Sequence, residues 1–250
     1  LRLITTYAEK EALIAGCGID YLVVLPFDAS FAAVPAETFV RDILVATIGV
    51  RQLIIGYDYM FGRNREGTTE LLRALGTECG FEVTVLPPLG DGTLMYRSST
   101  IRSLIAEGNV AGAVPLLGRY FSLSGRVVHG HHRGEGLGFP TANLVTEKDL
   151  LPPAGVYAVK VALEGALYDG ACNIGTNPTF GDGESSIEVF LFDFNEDLYG
   201  RELRLFFVVR LREERRFSDV SLLKEAIAAD VARCREILGR LGDAPFREQE

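Results

Sequence analysis

Eleven residues, GEGLGFPTANL at 134–144, hold the densest chemical signal in the chain. Thr141 and Asn143 stand two apart, so on an extended strand their side chains share one face. A hydroxyl and a carboxamide oxygen are hard donors. Magnesium takes a few such ligands and keeps its other positions for water and phosphate oxygens. Glycines at 130, 134, 136 and 138 would let backbone N–H groups approach a phosphate chain without side-chain obstruction. The stretch therefore fits a cradle for nucleotide phosphates and magnesium. It fits equally a glycine-rich hairpin in which Thr141 and Asn143 cap a turn. It is not a P-loop, because neither GxxxxGKS nor GxxxxGKT occurs in the chain. All three histidines fall in the run HGHH at 129–132. A zinc site there is disfavoured, because adjacent strand residues point to opposite faces and no cysteine or further histidine is near. A mobile flap over a nucleotide suits the run better.

Composition narrows the classes. A length of 250 residues favours two domains, and 48% hydrophobic with 24% charged residues describes a globular chain. No apolar run reaches the ~18 residues of a membrane span, and no export leader is visible. Cys17, Cys79, Cys172 and Cys234 are scattered with no CxxC pair, as expected of reduced thiols in a cytoplasm. A net charge of −9 argues against an electrostatic nucleic-acid surface. The basic stretch LREERRF (211–217) has its own acids beside it and reads as a solvated face. The first residue is Leu1 and not Met, which leaves open a start partway through a longer protein.

The elements that must position these residues differ between the two halves. Residues 1–117 alternate strand and helix patterns. YLVVLPF (21–27), RQLIIG (51–56) and FEVTVL (81–86) are apolar runs suited to buried parallel strands. Helical patterns cover 35–47, 68–78 and 98–108, the last with Ser98 or Ser99 as N-cap and Gly108 as terminator. This is an α/β layer of Rossmann-like character, in which ligands bind at the carboxyl ends of the strands. From Phe121 to about Leu211 the chain breaks into strand-length segments between Gly, Pro, Asn and Asp, the pattern of a closed antiparallel barrel. After Ser218, Val220, Leu223, Ile227, Val231, Cys234 and Leu238 recur at helical spacing, and Gly239 stops the helix. The expected domains are 1–117 and 118–250.

The barrel half resembles a known family. SGRVVHGHHRGEGLGFPTANL (124–144) is similar to the signature of riboflavin kinases. LLPPAGVYAV (150–159), ACNIGTNPTF (171–180), IEVFLFDFNEDLYG (187–200) and LREERRF (211–217) follow in that family's order. The resemblance implies that Thr141 and Asn143 coordinate magnesium and ATP phosphate, and that Gly130 lies in a flap over ATP. It implies that Glu188, on an otherwise apolar strand, is the general base for the ribityl 5′-hydroxyl of riboflavin. From its residue type and position alone, Glu188 could equally mark a solvent-facing strand position. Glu135 departs from the family, many of whose members carry a basic residue in the flap.

The first half resembles the FMN adenylyltransferase domain that precedes this kinase in the bacterial FAD synthetase family. GYDYMFGRNREG (56–67) and YRSSTIRSLI (96–105) carry the likeness. The second block implies that Ser98, Ser99 and Arg102 meet ATP phosphates at a helix N-terminus. Arg97 stands where the family's first Ser is usual, and simple helix capping would also explain Ser98 and Ser99. The family's opening HxGH signature is not in the sequence, and no histidine precedes His129. The expectation is a competent kinase with impaired adenylyl transfer unless further residues precede Leu1. Riboflavin, FMN and FAD would be substrates and products, with small molecules as partners and neither nucleic acid nor membrane. Self-association is left open. A kinase-only enzyme and a non-catalytic flavin-binding module are the alternatives, the latter disfavoured by the joint presence of Thr141, Asn143 and Glu188.

Overall fold

A computed structural model of the chain describes residues 2–90, 95–129, 138–176, 185–215, 217–242 and 246, with backbone alone at 176 and 185. The elements run α1 (Tyr7–Ala15), α2 (Ala29–Ala32), α3 (Ala36–Thr38) continuing as a π-helix over Phe39–Ile48, β1 (Gln52–Gly56), α4 (Thr69–Cys79) and β2 (Glu82–Leu86). Then follow α5 (Ser98–Ala106), α6 (Val110–Leu117), β3 (Phe121–Val128), β4 (Ala142–Val145), β5 (Gly155–Leu163), β6 (Ala166–Thr176), β7 (Ser185–Leu191), β8 (Glu202–Glu213) and α7 (Val220–Leu238). Packing divides them into two compact units, Asp20–Tyr96 and Leu1–Ile19 with Arg97–Glu250.

Within Asp20–Tyr96, β1 and β2 pair in parallel from Gln52↔Glu82 to Gly56↔Leu86. The Thr68 hydroxyl accepts from the Leu71 N–H to cap α4, and left-handed Gly80 ends it. This places Leu72 and Leu75 beside Val40, Ile55, Phe61 and Phe81 in the core. The block around 61–67 depends on glycine. A β-carbon on Gly62 would lie 2.6 Å from Ala36 Cα, and one on Gly67 would lie 2.7 Å from the Phe61 ring. The helix expected over 35–47 is present but winds in π form from Phe39, and the Thr47 hydroxyl donates to the Asp42 carbonyl five residues back. The strand expected at 21–27 does not form. The segment joins no ladder and its apolar side chains are exposed. An apolar run creates a demand for burial, but a strand exists only where a neighbour takes its N–H and C=O groups.

The second unit contains a closed barrel in the order β3-β4-β7-β6-β5-β8, with β8 returning to β3 and every neighbouring pair antiparallel. Closure leaves no free sheet edge. Alternate residues fill the interior, among them Leu123, Leu144, Tyr157, Val159, Cys172, Ile174, Val189, Leu205 and Phe207. Helix α7 covers part of the outside, packing Cys234 and Leu238 with Ala158, Phe192, Phe206 and Val208. Ile101 and Ile105 of α5 and Val110 and Ala113 of α6 join the barrel's interior cluster. Helix α1 is tied to the same unit by Lys148 Nζ, 2.7 Å from Glu9 Oε2. The capping of α5 corrects an expectation. Arg97 takes the extended N-cap conformation without a side-chain cap bond, and Ser98 is already the first helical residue.

Candidate functional site on the outer face of the barrel

The period of two along each barrel strand assigns every side chain to the interior or the outside. Ala142 and Leu144, Ile187 and Val189, and Cys172 and Ile174 are buried inside. The residues between them, Asn143, Glu188 and Asn173, therefore face outward, and all three are half-buried. The register draws them into one lateral row, with Asn143 opposite Glu188 and Glu188 opposite Asn173. Directly opposed residues place their β-carbons ~4.5–5.5 Å apart, so the carboxylate stands between two carboxamides within reach of both. Thr141, just before β4, brings its hydroxyl 3.4 Å from Glu188 Oε2.

An aromatic wall adjoins the row. Phe190 lies two residues past Glu188 on the same outer face, with Phe139 edge-on to it at 5.7 Å and Phe192 at 5.5 Å. Beneath the row, the Cys172 thiol is pushed far up, first by burial and then by the Glu188 carboxylate. It is thus a packed, protonated group and no nucleophile. The hydroxyl of Thr141, the carboxamide of Asn143 and the carboxylate of Glu188 together present hard oxygens on one patch. That donor set fits magnesium with phosphate and water completing its shell.

Of the other predicted residues, Gly130 and Glu135 lie outside the described residues, as do His131 and His132. His129 stacks on Tyr199 with ring centroids 3.9 Å apart. Ser98 and Ser99 are exposed in the first turn of α5. Arg102, one turn on, donates from Nε to the Arg2 carbonyl at 2.8 Å. Sequence reasoning did not single out Asn173, whose place beside Glu188 depends on the pairing of β6 with β7. Its signal was limited to its position inside the quoted block ACNIGTNPTF.

The chain was compared with known proteins. A riboflavin kinase family model matches residues 117–238, and an FAD synthetase model matches residues 1–100. The bifunctional riboflavin kinase/FMN adenylyltransferase of Escherichia coli (strain K12) is 40% identical over 237 residues, covering 94% of this chain and 76% of that protein. The enzyme of the same description from Bacillus subtilis (strain 168) is 35% identical over 233 residues, covering 91% and 73%. A solved structure from Streptococcus pneumoniae, described as a macrolide-efflux protein, superposes with a TM-score of 0.84 at 35% identity, covering 93% of this chain and 75% of that one. With two family models in tandem and this identity across most of its length, the chain belongs to the bifunctional riboflavin kinase/FMN adenylyltransferase family.

Proposed function

We propose that this chain makes flavin cofactors, with the barrel phosphorylating riboflavin to FMN and the preceding part adenylylating FMN to FAD. The observation that carries the kinase assignment is the convergence of Thr141, Asn143 and Glu188 on one outer patch from two strands far apart in sequence. Thr141 and Asn143 would hold magnesium and orient the phosphates of ATP. Magnesium, when bound, supplies charge neutralisation on the phosphate oxygens. Glu188 would accept the proton of the ribityl 5′-hydroxyl as that oxygen attacks the γ-phosphorus. The aromatic wall of Phe139 and Phe190 suits the flat flavin ring. We place the functional boundary between the two activities at 117/118. Ser98, Ser99 and Arg102 are the proposed ATP-phosphate contacts of adenylyl transfer. The protein is assigned to the cytoplasm on its four unpaired cysteines.

The efflux description of the S. pneumoniae protein does not carry over. The grouping of Thr141, Asn143 and Glu188 suits phosphoryl transfer instead. The test is chromatographic: riboflavin, ATP and magnesium are added, and FMN, FAD and ADP are separated over time. Wild type should release ADP in step with FMN. Thr141→Ala or Asn143→Ala should abolish FMN formation with the barrel folded. Glu188→Gln keeps size and hydrogen bonding but cannot take a proton, so kcat should fall by roughly 10²–10⁴ with riboflavin binding little changed. A Glu188→Gln enzyme with normal kcat and a raised KM would make Glu188 a binding residue only. Pyrophosphate released in step with FAD would support the adenylyl-transfer assignment, and FMN accumulating with neither FAD nor pyrophosphate would remove it.

A further inference from the structure

Glu188, Phe190 and Phe192 follow one another at the period of two on the outer side of β7 and its end, and their cover increases along the way. Glu188 and Phe190 are half-buried, whereas Phe192 is 3% exposed, packed beside Cys234 and Leu238 of α7. The flavin ring assigned above to Phe139 and Phe190 therefore depends on what stands next to Phe190. That neighbour is Phe192, edge-to-face at 5.5 Å. Phe192 is held twice. Its N–H donates to the Asp169 carbonyl at 2.8 Å, and the guanidinium of Arg235 lies over its ring, 4.7 Å from the centroid.

Arg235, in the last turn of α7, also grips the next residue of the chain. Asp193 has a φ of 56°, a left-handed conformation that few residues with a β-carbon adopt and that Asp tolerates better than most. Its two carboxylate oxygens accept from Nη1 and Nη2 of Arg235 at 2.7 Å and 2.8 Å. Paired bonds of this kind fix direction as well as distance. Asp169, which also acts on the Arg235 charge, is itself engaged by Lys160 Nζ at 2.6 Å. One side chain of α7 thus fastens both the turn after β7 and the ring behind the aromatic wall.

We propose that Arg235 is a positioning residue for flavin binding, acting through Phe192. By clamping Asp193 and covering Phe192 it fixes the ring against which Phe190 stands, and so keeps the wall set for the flavin. The inference rests on the assignment of the flavin ring to Phe139 and Phe190. The side chains of Arg235 and Asp193 are 47% and 76% exposed, so salt screens their pairing. Flavin affinity therefore depends on ionic strength even though the flavin ring is neutral.

The test uses the full chain with riboflavin and lumiflavin, the latter carrying a methyl group in place of the ribityl chain. Binding is read from flavin fluorescence without ATP, at a temperature where circular dichroism shows every variant folded. Arg235→Met keeps much of the side chain's length but loses both contacts. It should weaken both flavins equally, by about 3- to 10-fold, and raise the riboflavin KM by the same factor. The kcat, its pH profile and the KM for ATP should not move. Arg235→Lys keeps the charge without the fork and should recover part of the loss. The gap in lumiflavin affinity between wild type and Arg235→Met should narrow as NaCl is raised to about 1 M. Phe190→Ala should weaken both flavins. An unchanged lumiflavin affinity in Arg235→Met, a loss confined to riboflavin, or a fall in kcat at constant KM would overturn the proposal while Phe190→Ala still upheld the wall. Phe190→Ala binding both flavins normally would instead remove the wall itself, and the role of Arg235 with it.

Discussion

Two apolar segments, GVYAVKVAL at 155–163 and YLVVLPF at 21–27, have opposite fates. The first is β5, paired on both sides by β6 and β8 and buried along nearly its whole length. Its interior face packs Tyr157, Val159 and Val161 into the barrel, and its outer Ala158 lies under α7. The second joins no ladder, with Tyr21 87%, Val24 66% and Phe27 79% exposed. Apolar composition is therefore only half of what makes a buried strand. The other half is a pair of neighbours to satisfy the backbone, and the closed sheet supplies them to each of its six members.

The largest effect that could break this comparison comes from one substitution made in both regions. Leu205 is fully buried in the barrel, whereas Leu25 is 44% exposed. Leu205→Ala should cost about 2–5 kcal/mol through lost transfer energy and the cavity left behind. Leu25→Ala should stay within about 0.5 kcal/mol. Urea unfolding of both variants decides it, and an equal cost would mean that 21–27 is as buried in solution as the barrel strand β8 that carries Leu205.

A smaller effect concerns how α1 belongs to the barrel unit. Lys148 is buried, held by Glu9 at 2.7 Å and 2.9 Å, by the Ser122 carbonyl at 2.6 Å and over the Phe121 ring. Burial pushes its ammonium down, and Glu9 opposes that. Stripping a partner from a buried pair costs about 3–5 kcal/mol. Because the Ser122 and Phe121 contacts remain, Glu9→Ala should cost about 2 kcal/mol, less than that full penalty. Hydrogen exchange should show the loss in β3 and β5 and leave β1 and β2 unchanged. Loss of protection in β1 and β2 instead would assign the pair to the wrong unit.

The smallest expected effect is alkaline. Burial is the main cause that raises the thiols of Cys172 and Cys234, the latter to about 12. The folded barrel keeps these protons while unfolded thiols lose theirs from about pH 8.5. The unfolded state then binds fewer protons, so stability falls as pH rises, by about 1 kcal/mol for each thiol at pH 9.5. Lys148 acts with the opposite sign, because its lowered value lets the folded state release a proton first. The slope is therefore read as the difference between wild type and a Cys172→Ala/Cys234→Ala variant, which should be flatter. Tyr157, pushed up to about 12 by burial, adds a loss only above pH ~10. An identical slope in both proteins would remove the thiols as the cause.

Much of the architecture was legible. The spacing of Val231, Cys234 and Leu238 marked α7, and Gly239 ended it. The segments split by Gly, Asn and Asp became barrel strands, and the apolar runs before Gly56 and after Gly80 became β1 and β2. These features are local, set by side-chain period and turn chemistry within a few residues. The failure at 21–27 was not local, since nothing inside seven apolar residues states whether a neighbour will accept its hydrogen bonds. The cap of α5 misled for a related reason. Ser98, Ser99 and Arg97 are adjacent, and which one adopts the extended cap conformation depends on how the chain enters the helix.

The candidate site divides the same way. That Thr141 and Asn143 share a face follows from two-residue spacing on an extended chain, and their oxygens announce what they can bind. That Glu188 meets them follows only from β4 pairing with β7, which lies 47 residues away between Thr141 and Glu188. Asn173 reaches the other flank of Glu188 only because β6 follows β7 in the barrel. A one-residue slip in either register would turn one side's residues to the opposite face. The packed interior forbids that slip: Leu144, Ile187 and Ile174 would leave the core and the polar row would enter it. Residue chemistry was thus written in short stretches of the chain, while the meeting of those residues was decided by closure of the sheet around its apolar core.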